Sequence, residues 1–394
     1  MFPGARGGAL AIATCAIAVR RVGPSMARAP SPLLQDVPAS YCGHVLSPPW
    51  VVKGYERAAR WLGVAPATYR DVSVAVSAPW LSGRSVQITY DGVRVNAWLV
   101  LKCDTNGIDA NMQSLLGKGG HLFARQRRLG AMSTPRNDSL PVARTVVSFA
   151  VVREPMEHFV SGYAESITAR LDGVEQNDRR WPGSEELLRQ LCANGTASYA
   201  CITDQMDRAG AFLRDYVQTR TNRVRLSFQT THANSQASFL CLQYPDGRRG
   251  VGTDYVIYLD ELAYGWEQLG VEAGLRDWPP FESDLFIARK DGNKLYHGDR
   301  PHLHHPDWLS NNSRRRAMEA VLKEETNCRA LCAVLLVDYV CFRFPLPWCC
   351  ATSALAQGAV RCPVKIGTFL TRAARPPTEL IDPSSAQGRL FDDG

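Results

Sequence analysis

The sequence predicts an α/β fold in which helices flank a central, mainly parallel sheet. Two patterns support this prediction. Apolar, β-branched runs typical of buried strands recur along the chain, and segments with a helical spacing of apolar residues follow them. The composition agrees, because 394 residues with 45% hydrophobic and 21% charged side chains are typical of a globular protein with one large core or two smaller ones.

Two segments are predicted to precede the globular domain. Residues 1–23 carry an apolar run of signal-peptide length, Gly7 to Val19, flanked by arginines, which is typical of a signal peptide or a signal anchor. The run is short for a membrane span. An organelle transit peptide is the alternative, because the first residues contain Arg and no acid. Residues 24–49 are rich in Pro, Ala and Ser and predict a stem or linker.

The globular domain is predicted over residues 50–350. Its first element is a short helix over residues 55–62. Residues 86–95 predict a β-hairpin, because Asp91-Gly92 between two apolar runs is typical of a type I′ turn. An apolar strand continues from this hairpin, and after a loop a helix is predicted to begin at Met112.

The second half of the domain predicts two more buried strands, each followed by a helix. Residues 146–152 form a β-branched run that Arg153-Glu154-Pro155 ends. The later elements are a helix over 156–171, a helix over 205–219, a strand over 252–262 with a helix after it, and a long helix over 314–339. Residues 351–394 show no sustained period and predict a loosely ordered C-terminal tail.

Arg153 stands at the predicted carboxyl end of its strand, and Ser161 lies two turns into the next helix. Ligands of open α/β sheets bind outside the carboxyl ends of the strands. A fixed guanidinium there, with a helical hydroxyl nearby, suits an anionic group. The pattern therefore predicts a phosphate-binding site.

The same stretch resembles a known motif. Residues 153–163 read Arg-Glu-Pro-x-x-His-x-x-Ser-x-Tyr, which is similar to Arg-Asp-Pro-x-x-Arg-x-x-Ser-x-Tyr, the motif that binds the 3′-phosphate of 3′-phosphoadenosine 5′-phosphosulfate (PAPS) in Golgi-type carbohydrate sulfotransferases. His158 stands where the family has a second Arg. The resemblance implies a P-loop-like sulfotransferase fold and a PAPS-dependent O-sulfotransferase that moves a sulfuryl group to a hydroxyl of a carbohydrate.

In that family a strand, a short loop with Lys, Gly and Ser or Thr, and a helix hold the 5′-phosphosulfate. Upstream of Arg153, residues 98–107 and the helix after them have this order. The segment departs from the family's Pro-Lys-x-Gly-x-Thr, because Leu101 replaces Pro and Asp104 falls at the Gly position. An Asp in a phosphate cradle repels the ligand unless it points away.

The resemblance implies roles for four residues of this segment. Lys102 would neutralise charge on the leaving phosphate and so serve as both a catalytic and a cofactor-binding residue. Thr105, Asn106 and Gly107 would lie beside the phosphosulfate, near a helix N-terminus. A second register remains open, in which Asn106-Gly107 takes the Lys position and no Lys is present.

Three further segments support the resemblance through their order in the chain. Residues 231–240 are similar to the family's His-x-x-x-Gln-x-x-x-Leu segment. Residues 254–262 resemble its strand ending in Glu-x-Leu, and residues 336–345 resemble its closing Asp-Tyr-x-x-Phe-x-Tyr-Pro. The resemblance therefore spans residues 95–347.

Sulfuryl transfer also needs a base for the acceptor hydroxyl, and the sequence leaves its identity open. The candidates are His121, His232 and Glu185 or Glu186. Arg314 begins a run of three arginines and is predicted to contact the nucleotide or an anionic sugar, because a basic first turn of a helix favours a bound anion.

The composition also limits the partners. A net charge of +7 favours an anionic cofactor or an acidic substrate, and no basic run interleaved with aromatic residues indicates nucleic acid. The family resemblance implies a glycan acceptor. No metal is predicted, because no paired C-x-x-C array with His is present and the group His302, His304, His305 and Asp307 lacks helical spacing. The sequence does not predict an oligomeric state.

Cysteines and sequons bear on the compartment. Three sequons begin at Asn137, Asn194 and Asn311, and they predict a glycoprotein of the secretory pathway, in the Golgi lumen if the family resemblance holds. Cys192 and Cys201 are predicted to close a small disulfide loop in an oxidising compartment. Cys328 and Cys332 are interpreted as buried small hydrophobic side chains on one helix face.

Two other functions remain open at this point. The first is a catalytically silent glycan- or nucleotide-binding protein on the same fold, in which the departures at Asp104 and His158 have removed turnover. The second is a soluble small-molecule sulfotransferase, which the N-terminal segment and the sequons disfavour.

Overall fold

A computed structural model of the chain describes residues 40–82, 84–100, 103–118, 121–128, 131–133, 145–164, 198–220, 231–243, 249–282, 306–350 and 360–372. The predicted signal segment lies outside these residues. The predicted stem is corrected at its end, because Ser40–Leu46 forms helix α1 and Leu46 is buried. In the described part of the chain no helix has the length and apolar character needed to cross a membrane.

The other helices and strands follow in chain order. They are α2 Pro49–Trp61, α3 Tyr69–Ser82, β1 Arg84–Tyr90, β2 Val93–Leu99, α4 Thr105–Ser114, β3 His121–Arg128, β4 Ala131–Ser133, β5 Thr145–Val152, α5 Pro155–Ala164, α6 Gln205–Val217, β6 Cys241–Gln243, β7 Arg249–Tyr258, α7 Leu262–Glu272, α8 Pro306–Val321, α9 Glu325–Phe342 and β8 Lys365–Leu370. Short 3₁₀ turns include Thr231–Ala233, Gln236–Leu240 and Trp348–Cys350.

The strands form one eight-stranded sheet in the order β4-β3-β1-β2-β5-β7-β6, and β8 pairs with β7 off this path. β2, β5, β7 and β8 are parallel neighbours. β1, β3 and β4 extend the sheet by antiparallel pairing. The α/β class and the parallel centre are confirmed, and this antiparallel wing makes the sheet more mixed than predicted.

The hairpin of β1 and β2 is built as predicted. Asp91 and Gly92 have φ values of 47° and 75°. Positive φ at both central residues is what a type I′ turn requires. The two strands then pair from Tyr90 and Val93 to Arg84 and Leu99.

Two predicted helices have different bounds in the structure. α4 begins at Thr105, seven residues before the predicted start, because its first turn is polar and lacks the apolar spacing that marks a helix. The predicted helix over 314–339 is two helices, α8 and α9, separated by a turn at residues 322–324. Residues 323–327 are all polar, so the apolar spacing is interrupted at this break, and the prediction of one continuous helix is wrong. The Asn327 amide donates to the carbonyl of Val321 at 3.0 Å and satisfies the end of α8.

The C-terminal part of the chain departs further from the prediction. Within the predicted loose tail 351–394, β8 pairs in parallel with β7 and extends the central sheet. Leu370 is the one fully buried residue of this strand, so β8 lacks the alternation that marks a strand in a sequence. The prediction is therefore corrected for residues 360–372, whereas 351–359 and 373–394 lie outside the described residues.

Three disulfides join α9 to the residues that follow it. They are Cys328–Cys349, Cys332–Cys350 and Cys341–Cys362. Cys328 and Cys332 are buried as predicted, but they are corrected from thiols to disulfide partners. One helical turn separates them, so the adjacent Cys349 and Cys350 reach both. Disulfides are typical of oxidising compartments and are compatible with a secretory or lumenal location.

The structure describes only one residue of the predicted pair of Cys192 and Cys201. Cys201 is disulfide-bonded. Cys192 lies outside the described residues, so the pairing stays a prediction.

Replacing both Cys341 and Cys362 by Ser is expected to lower the free energy of unfolding by about 3 kcal/mol. The bridge joins residues 21 positions apart, and its loss increases the conformational freedom of the unfolded chain. Urea unfolding without reductant measures the change. Arg361→Ser, at an exposed position beside the bridge, is the control and should have little effect. An unchanged unfolding midpoint in the double Ser variant would contradict the expectation.

Candidate functional site

The carboxyl ends of β2 and β5 lie side by side, because the two strands are parallel neighbours. The chain leaves β2 through α4 toward β3 on one side, and it leaves β5 through α5 toward β7 on the other. Adjacent strands whose connections leave in opposite directions mark the switch point at which α/β sheets bind ligands. The loop after β2 and the turn after β5 therefore share the position expected of a site.

Arg153 is the first residue after β5, as predicted. Its guanidinium contacts the Glu157 carboxylate through Nε and Nη2, each 3.0 Å from Oε2. The Arg153 side chain is 22% exposed and that of Glu157 is 60% exposed, so solvent reaches the pair. An exposed ion pair of this kind contributes only about 0–1 kcal/mol. The Glu157 carboxylate thus lies where the motif predicts a phosphate. Little free energy is needed to break its ion pair with Arg153.

Ser161 lies on the same side of α5 as this ion pair. Arg153 precedes Glu157 by one turn and Ser161 follows it by one turn, so the three side chains are in line. Ser161 is half-buried. A carboxylate therefore stands between the two side chains predicted to hold a phosphate, and a bound phosphate has to displace it. His158, at the place of the family's second Arg, is fully buried.

Glu154 fixes the start of α5. Its Oε2 accepts a hydrogen bond from the N–H of Glu157 at 2.6 Å. Its Oε1 accepts one from the hydroxyl of Tyr339, which belongs to α9. Burial, and next the charge of Glu154, raise the pKa of Tyr339, so this phenol remains a donor. Oε2 therefore binds within the first turn of α5, and Oε1 holds the turn after β5 against α9.

Gln236 holds the backbone of Arg153. Its Nε2 donates to the Arg153 carbonyl at 2.6 Å, and its Oε1 accepts from the Arg153 N–H at 2.8 Å. The same Oε1 accepts from Sγ of Cys103 at 3.3 Å. Gln236 is fully buried. One amide therefore joins the turn after β5 to the loop after β2.

Asp338 of α9 fixes the segment that carries Gln236. Its carboxylate accepts hydrogen bonds from Oγ of Ser235 at 2.6 Å and from the N–H groups of Gln236 and Ala237 at 2.8 and 2.9 Å. Burial raises the pKa of Asp338 to about 6, and the nearby charge of Glu154 also raises it, while these three donors oppose the rise.

The loop after β2 is shorter than predicted. Because α4 begins at Thr105, the residues Thr105, Asn106 and Gly107 form its first turn. Oγ1 of Thr105 donates to the carbonyl of Val100 at 2.9 Å, which closes the loop. Lys102 and the side chain of Asn106 lie outside the described part of the chain, so their roles stay predictions.

Asp104 precedes this first turn in the left-handed region, with φ of 53°. Its carboxylate lies over Gly107, and a Cβ at Gly107 would collide with it. Burial raises the pKa of Asp104, and the N–H of Gly107 opposes the rise. A negative group already covers the helix N-terminus that was predicted to cradle the phosphosulfate. An anionic ligand has to compete with it.

The structure does not bring His121 to this site. His121 is the first residue of β3 and pairs with Thr89 of β1, which pairs with Arg94 near the start of β2. The site lies beyond Leu99 at the other end of β2, roughly 16 Å away along the strand. A direct role as the base is therefore not supported by its place in the sheet.

Of the remaining predicted residues, the structure describes His232 and Arg314. Glu185 and Glu186 are outside the described residues. His232 belongs to the 3₁₀ turn against α5, where a Cβ at Gly162 would collide with the His232 backbone. Arg314 is buried, and its Nε donates to the carbonyl of Ala164 at 2.8 Å. It thus stabilises the C-terminal end of α5, where a cation is favourable.

Three residues of the site were not predicted as functional residues. Gln236, Asp338 and Tyr339 lie in the segments 231–240 and 336–345, which resemble family segments in sequence. That likeness, and the order of the segments, was the signal that could have found them. Among the described residues no group of three or more His, Cys, Asp or Glu could hold a metal ion.

No protein-family model, no curated protein and no solved structure matches this chain. The hypothesis about function therefore rests on the motif at residues 153–163 and on the contacts around it.

Proposed function

We propose that this protein is a PAPS-dependent O-sulfotransferase that moves a sulfuryl group to a carbohydrate hydroxyl in the Golgi lumen. The observation that carries the proposal is the position of Arg153, at the carboxyl end of β5 and beside the loop after β2. A guanidinium there can bind a phosphate through two parallel hydrogen bonds. Arg153 and Ser161 would bind the 3′-phosphate, and the first turn of α4 would lie at the 5′-phosphosulfate.

The chemistry requires in-line placement and charge stabilisation. The acceptor oxygen bonds to sulfur while the bond from sulfur to the bridging phosphate oxygen breaks, and the hydroxyl proton passes to a base. In the proposal Lys102 stabilises the charge on the leaving 3′-phosphoadenosine 5′-phosphate (PAP). His232 and Glu185 or Glu186 are the proposed candidates for the base, because an imidazole or a carboxylate can accept the hydroxyl proton.

A second function is favoured by the position of Asp104. Its carboxylate covers Gly107 at the start of α4, and like charge there disfavours a phosphosulfate. A glycan- or nucleotide-binding protein without turnover, on the same fold, is therefore the second candidate. It keeps Arg153 as an anion-binding residue and lacks transfer.

Two measurements separate these functions. Calorimetry with PAP tests for the nucleotide site, and transfer of labelled sulfate from PAPS to a panel of glycans tests for turnover. Binding with transfer supports the enzyme, and binding without transfer supports the silent protein. If PAP does not bind, the nucleotide assignment is wrong for both.

Replacing Glu157 by Gln is expected to tighten PAP binding by about 3- to 5-fold. The change removes the carboxylate that pairs with Arg153, so the guanidinium no longer has to exchange partners. Calorimetry with PAP at neutral pH measures the effect. Glu319→Gln is the matched control, because Glu319 forms an i,i+4 pair with Arg315 on α8. Equal affinity in wild type and Glu157→Gln would show that this pair does not compete with a ligand.

A further inference from the structure

Gln236 uses its side-chain amide as a neighbouring strand would use a peptide group. It donates to the carbonyl and accepts from the N–H of the same residue, Arg153, at 2.6 and 2.8 Å. These bonds continue the pairing pattern of β5 by one residue past its end at Val152. Both backbone polar groups of Arg153 are therefore bound by a side chain that is fully buried.

The same amide reaches the second loop of the site. Oε1 of Gln236 also accepts from Sγ of Cys103, which is itself buried and directly precedes Asp104. The residues 103–104 lead into the first turn of α4. Gln236 is thus in contact with both loops at the switch point of the sheet.

The segment that carries Gln236 is bound by Asp338 of α9. Asp338 binds the N–H groups of Gln236 and Ala237 and the hydroxyl of Ser235. Two backbone N–H groups and one side-chain hydroxyl of this segment bind the same buried carboxylate, so the backbone of Gln236 is fixed to α9. The loop after β2 and the turn after β5 therefore contact the same anchored residue.

We infer that Gln236 is a positioning residue that sets the separation of the two phosphate-binding loops, so that PAP affinity depends on an amide that does not touch the ligand. The inference rests on the proposed function and names a determinant of that same site. Only an amide supplies a donor and an acceptor together at this position. An ionised carboxylate accepts hydrogen bonds but cannot donate one. The thioether of Met, of similar length, is only a weak acceptor and has no donor.

The experiment uses this difference. PAP affinity is measured by calorimetry from pH 5 to pH 8 for wild type, Gln236→Met and Gln236→Glu. Gln236→Met should bind about 20-fold more weakly at every pH. Gln236→Glu should be equally weak at pH 8, where an ionised oxygen faces the Arg153 carbonyl, and should recover toward wild type at pH 5, where the protonated carboxyl donates again.

Other ionisable groups lie around this position and are present in every variant. They are Asp338 on α9, Glu154 after β5, Tyr339 on α9 and Cys103 after β2. The ratio of each variant's affinity to that of wild type at the same pH removes their contribution. A purely structural role would lower stability without producing a pH-dependent recovery of affinity in Gln236→Glu alone.

Hydrogen exchange at the Arg153 amide supplies a readout that does not depend on PAP. Faster exchange in Gln236→Met supports the positioning of the Arg153 backbone by Gln236. If wild type fails to bind PAP, the proposed function and the link to PAP affinity are overturned, whereas this positioning role is not. Unchanged exchange, wild-type PAP affinity in Gln236→Met, or an affinity ratio for Gln236→Glu that is constant with pH would each overturn the inference.

Discussion

Replacing Arg153 by Ala is expected to weaken PAP binding by about 500-fold, on the order of 4 kcal/mol. The guanidinium offers a fork of donors whose position is fixed through its own backbone, which Gln236 holds at the end of β5. A charge-assisted, bidentate contact to phosphate is among the strongest single contacts of a binding site. Calorimetry with PAP measures the loss.

Two further variants make this result specific. Arg153→Lys keeps the charge and removes the fork, so it should lose only about 20-fold. Arg315→Ala breaks the comparable pair with Glu319 on α8 and should leave PAP affinity unchanged. Arg153→Ala should lower the free energy of unfolding by less than about 1 kcal/mol, because the ion pair that it removes, with Glu157, is exposed. Wild-type affinity in Arg153→Ala would remove the 3′-phosphate assignment.

Asp338→Ala is expected to lower the free energy of unfolding by about 4 kcal/mol. Three donors, on Ser235, Gln236 and Ala237, lose their acceptor at a fully buried position. Buried donors without partners keep their full desolvation cost. Urea unfolding at pH 7 measures the loss.

Asp254→Ala is the matched control for this change. The carboxylate of Asp254 also accepts two hydrogen bonds, from the N–H and the hydroxyl of Ser148, but the residue is exposed. Water can replace such an acceptor, so the loss there should be about 1 kcal/mol. If the two variants lose equal stability, burial of Asp338 is not the reason for its effect.

The pH dependence of stability follows from the same carboxyl. Burial raises the pKa of Asp338 from 3.8 to about 6, so the folded state binds more protons than the unfolded state between these values. This contribution to stability is complete below about pH 4 and is lost as the pH rises through 6. Relative to Asp338→Asn, wild type should lose on the order of 3 kcal/mol between pH 4 and pH 8. A constant difference across that range would refute this.

The parts of the fold that the sequence predicts are those in which local pattern and burial agree. Residues 147–152 of β5 and 256–258 of β7 are buried and rich in β-branched and aromatic side chains, and the β1–β2 turn needs Asp91-Gly92 for its positive φ values. β8 gives no such pattern because one of its faces is largely exposed. Its place in the sheet comes from pairing with β7 and from a disulfide, which periodicity does not reveal.

Some residues of the candidate site are likewise predictable from local sequence, and others are not. Arg153 is predictable because strand, turn and helix follow one another within a few residues. Periodicity does not reveal Gln236 and Asp338, because their contacts join positions 83 and 102 residues apart, and only the resemblance of their segments to family segments points to them. The carboxylate of Glu157 beside Arg153 is visible in the sequence as an i,i+4 spacing. Its competition with a ligand follows only from the geometry.

The order of the half-cystines along the chain has a consequence for biosynthesis. Cys328, Cys332 and Cys341 of α9 leave the ribosome before Cys349, Cys350 and Cys362, with which they pair. Each of the three α9 thiols is therefore synthesised before its partner, and Cys341 can form only a non-native pair if it is oxidised before residue 362 has emerged. Correct maturation then depends on thiol exchange after synthesis, so recombinant yield should rise when a disulfide isomerase is co-expressed.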